Sequence, residues 1–443
     1  MLIRLRAELV DTGALPNWRV EVRNVNNGNV QYTVSTAAFS SGSSGATQNL
    51  AMQSGWDTAT RLPSGARDSA PFAILDTAYR AIQKVIAVSP TANFPNLTLS
   101  WATTNVGGQT FFSVPSGQNP RIVLSGESGV DTDEFDTHVI AHEFGHYVEY
   151  AFARSDNVGG SHGPGDRLDP RVAYSEGFGY WFAGYVLDNP EAIDTVGTTQ
   201  QQSSRFNIET NNVLNPGWYS EASVWTLLWD LYDSVADSIP GGGTDTVALG
   251  AAPIWTVITG ALRNTESLAT IFVFVEALKA QNAAVVAAIN TVVASQSITA
   301  ATLDAYGTDE TNNAGNASVL PLFSSINVGG GARTVRSLSA FGSSGNKLGN
   351  SRFLRLIVNS PQSIRIVVTA PAGRDADLLV TRQGLVLTPN EANGGELNGD
   401  ENFTVSLPGA GTYVLETYDC HNANCTTNPL PADTDIVVTV TTN

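Results

Sequence analysis

The chain has 443 residues, 42% hydrophobic and 14% charged, a globular balance that excludes disorder and a length that calls for two or three cores. Its formal charge of −18, with lysine only at positions 84, 279 and 347, excludes the basic stripe that a nucleic-acid partner needs. No run of about 18 apolar residues offers a membrane span, and the opening MLIRLRAELVDTG has no apolar signal core, which leaves a cytoplasmic chain or a mature or trimmed form.

Residues 1–62 alternate as strands do, in IRLRAELV, WRVEVRNV and VQYTVST, with NNGN supplying the turn between the last two. From SAPFAILDTAYRAIQKVIAV the period becomes helical, and Phe72, Leu75, Tyr79, Ile82 and Ile86 fall on one face. LTLSW and FFSV read as a short strand pair. Four helical stretches follow: one around His142, VAYSEGFGYWFAGYVLD, EASVWTLLWDLYDSVAD, and a largely helical region from about 246 to 306. Residues 328–350 read as a flexible linker by composition. Beyond them, short punctuated strands over 351–443 predict a β-sandwich. Cys420 and Cys425 predict a short disulfide loop in an oxidising compartment, with free thiols or a metal shared with His421 as the other readings.

Three of the five histidines lie in DTHVIAHEFGHYVEYAF. On a helix His142 and His146 stand one turn apart on the same face, so both imidazoles can reach one ion. Glu143, one residue round, reaches a water on that ion instead, and H-E-x-x-H therefore supplies two zinc ligands and a general base. Glu176, thirty residues beyond His146, is the predicted third ligand. Ser175 reads as an N-cap before it, and Gly177, Gly179 and Gly184 permit close helix approach. Glu149, Asp156, Asp166 and Asp169 are alternative ligands by sequence distance.

HEFGHYVEY followed by SEGFGYWF resembles the gluzincin, thermolysin-like zinc metalloproteases, most nearly the fungalysin branch, and GWYSEASVWTLLWDLYD resembles that branch's third motif. The resemblance implies an α+β zincin-like domain over 63–327, largely helical around the site, between an N-terminal β region (1–62) and a C-terminal sandwich. It also implies a water activated by Zn2+ and Glu143, with Tyr219 standing where the family has an oxyanion-binding histidine; such a donor contributes about 3 kcal/mol. Tyr180 and Ser223 depart from the family pattern. Asp230 on the Trp-rich helix, or a backbone carbonyl, is then left to orient a ligand histidine.

DTDEFD reads first as a helix N-cap whose acids complement the helix dipole, and second as a Ca2+ site at Asp131 and Asp133. The Gly-rich loop 154–171, with His162, should border the cleft. TLSWATTN is the expected edge strand that would hold an extended substrate. Residues 351–443, through DADLLV and SLPGAGTYVLETYD, resemble the bacterial pre-peptidase C-terminal domain, which implies a secreted or periplasmic protein and a glycan or protein contact. Asp375 and Asp377 there are Ca2+ candidates or a solvated turn. The predicted function is a secreted zinc endopeptidase acting on protein or peptide. The rival readings are a non-catalytic adhesin or glycan-binding protein on the same scaffold, and a protease restricted to glycoproteins.

Overall fold

The computed structural model describes the chain apart from residues 44, 106–108, 211, 389–398, 424 and 426–429 and the side chain of Gln202. The fold is α+β, in two compact units: 1–151 with 179–208, and 152–178 with 209–443.

In the first unit the alternating N-terminal residues form strands Glu8–Asp11 and Trp18–Asn24, antiparallel with Leu9 opposite Val20. Trp18–Asn24 returns to Val30–Gln31 through a turn where Gly28 and Asn29 both take positive φ, which these two residues adopt at low cost. Arg4–Arg6 with Thr33–Ser35, and Trp56–Asp57 with Leu62–Pro63, form small two-stranded sheets, whereas Glu8–Asp11, Trp18–Asn24 and Val30–Gln31 join a larger one. Trp18–Asn24 runs parallel to Leu97–Trp101, which runs parallel to Arg121–Leu124, and the last pairs antiparallel with Phe111–Ser113. The expected LTLSW–FFSV pair is thus split by RIVL, a strand of only four residues with three apolar ones. Leu97–Trp101 is a central strand with both backbone rows in use, so it cannot take up a substrate strand; Phe111–Ser113 ends the sheet on one side and Glu8–Asp11 on the other. Helix α1 (Ala70–Val88) buries Ile74, Leu75, Ala78, Ile82 and Val85 and packs against Trp18–Asn24. A second small sheet, unread in the sequence, orders Gly126–Glu127, Asp131–Thr132, Glu191–Val196 and Gln202–Asn207. Helix α2 (Thr137–Phe152) carries the histidine pair.

Helix α3 (Pro170–Leu187) is continuous, its first half counted with the second unit and its second half with the first. Proline at its start suits the first turn, where the missing N–H has no partner to lose. Ser175 is therefore not an N-cap: it lies inside α3, and Glu176 sits in the second turn. Helix α4 (Glu221–Tyr232) is capped by Ser220, whose side chain accepts from Ser223 N. The predicted helical region resolves into α5 (Ala251–Val257), continued by a π-turn, then α6 (Ile271–Gln281) and α7 (Val286–Ser295).

The C-terminal sandwich has one sheet ordered Phe323–Ile326, Ser351–Val358, Gly411–Asp419, Ala376–Arg382, Leu385–Val386. The other runs Arg333–Ser337, Thr434–Thr442, Gln362–Thr369, Glu401–Leu407. Leu354, Leu356, Ile364, Ile366, Leu378, Tyr413, Leu415 and Val438 fill the space between them. The stretch expected as a linker contains strand Arg333–Ser337, and its Gly/Ser-rich remainder is held by side-chain bonds: Asn350 Nδ2 donates to Leu338 O and Gly342 O. Composition misled because these polar residues bond inward. Within the second unit Arg171 of α3 forks onto Glu416 of the sandwich at 2.6 Å on both arms, with Asp169 bonded to the same guanidinium.

Candidate metal centre

On α2 the four-residue spacing does what helical geometry requires. His142 Nε2 and His146 Nε2 lie 3.1 Å apart, with the rings edge to face at 4.8 Å between centroids. Two Nε2 atoms at that distance face a common point, the arrangement a shared ion needs. His146 Nδ1 is 3.2 Å from Glu149 Oε2 on the next turn of the same helix, a carboxylate–histidine contact that fixes the ring's orientation. Glu143 is buried, and its Oε2 has no hydrogen-bond partner among the described residues.

The second half of α3 comes close because glycines face each other. A Cβ on Gly145 would sit 3.1 Å from Gly179 Cα, and one on Gly179 would sit 2.8 Å from His142 Cε1. Tyr180, where the family resemblance implied an aspartate, lays its ring 4.3 Å from that of His142.

In the second unit Glu176 Oε1 accepts from Asn157 Nδ2 at 2.9 Å, and Glu176 Oε2 lies 3.2 Å from His162 Nε2. His162 Nδ1 is in turn 2.7 Å from Glu221 Oε2 at the start of α4. Gly177 allows this, since a Cβ there would overlap Val224 of α4 at 2.5 Å. Loop residues 154–171 thus contribute a histidine clasped between two carboxylates. Sequence reading gave His162 no defined partner; only the fold brings Glu221 to it.

Tyr219 directly precedes the Ser220 cap of α4. Its hydroxyl is 3.1 Å from Asn312 Oδ1 and 3.3 Å from Pro216 O, contacts that tie its loop to residue 312; burial pushes its pKa up. Asp230 is buried on α4; the group observed on His146 is Glu149, whose i+3 spacing was open to inspection. Asp131 and Asp133 are joined by Asp194, which no sequence pattern linked to them. Asp375 accepts from Gly399 N, while Asp377 sits beside the Cys420–Cys425 disulfide. Among the described residues these two aspartates do not share a ligand cluster, and the bonded sulfurs are no longer ligands.

No family model matches the chain, and no curated protein does. Solved structures similar to part of it include the pre-peptidase C-terminal domain of a Bacillus anthracis collagenase (13% identity, TM-score 0.18, 27% of this chain and 93% of that one). Two others are a surface-associated copper-binding protein of Methylomicrobium album (10%, 0.21, 27% and 98%) and a periplasmic inhibitor of g-type lysozyme from Aeromonas hydrophila (14%, 0.16, 27% and 96%). At these scores nothing about function is drawn from them. Among the described residues no single helix is long and apolar enough to cross a membrane.

Proposed function

We propose that this chain is a zinc-dependent endopeptidase in which His142, His146 and Glu176 hold one Zn2+ and Glu143 is the general base. The observation that carries the reading is the convergence of two Nε2 atoms beside a buried carboxylate that has an unused oxygen. Glu176 fits as third ligand because it lies three residues, nearly one turn, before the Gly179 that packs on His142. Two imidazoles and a carboxylate are a donor set that suits Zn2+.

A bound Zn2+ supplies Lewis acidity and makes a water acidic near neutral pH. Glu143 Oε2 accepts a proton from the attacking water as its oxygen adds to the peptide carbonyl carbon, then returns a proton to the amide nitrogen as the C–N bond breaks. Tyr219 is the proposed donor to the developing oxyanion, as the family resemblance implies. An extended substrate would add to the edge strand Phe111–Ser113, which abuts α2 through Phe112, 6.3 Å from Tyr147 and 6.0 Å from Tyr150 between ring centroids. The disulfide supports a secreted or periplasmic setting. Casein hydrolysis by the parent, with and without chelator, is compared with Glu143→Gln at equal zinc content. Loss of at least about 100-fold is expected, and a variant as active as the parent overturns the mechanism.

A further inference from the structure

Three carboxylates meet just ahead of the histidine helix. Asp131 lies on strand Asp131–Thr132, and Asp133 opens the 3-10 turn Asp133–Phe135 that leads into α2. Asp131 is the register partner of Val196. Side chains alternate along a strand, so Asp194, two residues from Val196, falls on the same face. One oxygen from each of the three lies within 4.8 Å of the others.

Asp133 is 1% exposed and Asp131 8%, yet Oδ1 of both, like that of Asp194, is buried without a hydrogen-bond partner. Thr110 Oγ1 satisfies Asp133 Oδ2 only. Among the described residues no Lys, Arg or His is ion-paired with any of the three. Arg67 is committed to Glu134, Arg205 to Glu191, and Asp136 accepts from Thr195 N and Oγ1. Two buried acids and a half-buried third, each with an unused buried oxygen and no counter-charge, are costly to fold unless a cation joins them.

We propose that Asp131, Asp133 and Asp194 form a Ca2+ site, separate from the histidine pair and independent of the zinc reading, which pins the turn from which α2 starts. Oxygens 2.3–2.6 Å from a Ca2+ lie at most about 5 Å apart, which the observed spread satisfies. An all-oxygen set with no nitrogen or sulfur selects a hard cation.

The full chain is dialysed against chelator, re-equilibrated with excess CaCl2, and its calcium and zinc are counted by mass spectrometry while melting is followed with and without calcium. The parent should hold one more calcium per chain than Asp194→Asn or Asp133→Asn, with zinc content alike in all three. Its Tm should rise by roughly 5 °C at calcium about 100-fold above Kd, and neither variant should show that rise. Equal calcium content and equal Tm shifts in parent and variants would overturn the site and leave the zinc proposal standing. Should the variants fail to fold, Tb3+ emission sensitised by tryptophan is titrated on the parent: emission displaced by Ca2+ supports the site, and its absence refutes it.

Discussion

Arg171 is the clearest place to test what holds the second unit together. Its guanidinium is 4% exposed and makes four side-chain bonds of 2.6–2.9 Å, two to Asp169 and two to Glu416. Burial alone would push the Glu416 carboxyl up, but Arg171 overcomes that and holds it below the usual range. Arg171→Met keeps the length of the side chain and removes the charge. Asp169 retains a donor in the Arg171 backbone N–H at 3.0 Å, so the stranded group is Glu416. Removing one partner of a buried pair costs about 3–5 kcal/mol, whereas replacing both with apolar groups is often neutral. Urea denaturation followed by far-UV circular dichroism should show that loss in Arg171→Met and recovery of most of it in Arg171→Met with Glu416→Leu. A single-variant loss below about 1 kcal/mol, the range of exposed pairs, would refute a dry clamp between α3 and the sandwich.

The same pair sets a pH dependence. The folded pKa of Glu416 lies below its unfolded value, so its contribution is complete above about 4.5 and is lost as the pH falls through the folded value; the Tm gap between parent and Arg171→Met should close on acidification, and a constant gap would contradict the assignment. Gly179→Ala puts a methyl 2.8 Å from His142 Cε1, which should weaken zinc binding about tenfold or more by turning the ring, read by competition with a chromogenic chelator. Glu149→Gln should reduce zinc affinity by roughly 10–100-fold with the helical signal unchanged; unaltered affinity would mean that the carboxylate does not steady His146.

What could be read in the sequence was whatever depends on local spacing. His142 and His146 share a face because four residues make about one turn, and NNGN closes a hairpin because Gly28 and Asn29 tolerate positive φ. Helix starts were less legible: Ser175 looked like a cap, but a proline five residues earlier begins the helix. What remained hidden depends on pairings far apart in the chain. Asp194 meets Asp131 through strand register, Glu221 meets His162 because Gly177 admits α4, and Arg171 meets Glu416 across 245 residues. Residues 328–350 deceived for a related reason, since flexible-looking composition says nothing about whether side chains such as Asn350 find partners inward.

Helix α3 runs unbroken from Pro170 to Leu187, so Arg171, Glu176 and Gly179 are teeth on one shaft, each step advancing 1.5 Å and turning about 100°. Deleting a single residue between the first two would swing the arginine a quarter-turn or more out of phase with the carboxylate, even with every functional group still present. Kin of this protein should therefore be recognisable by intervals of five and three residues along that shaft more surely than by the amino acids filling them.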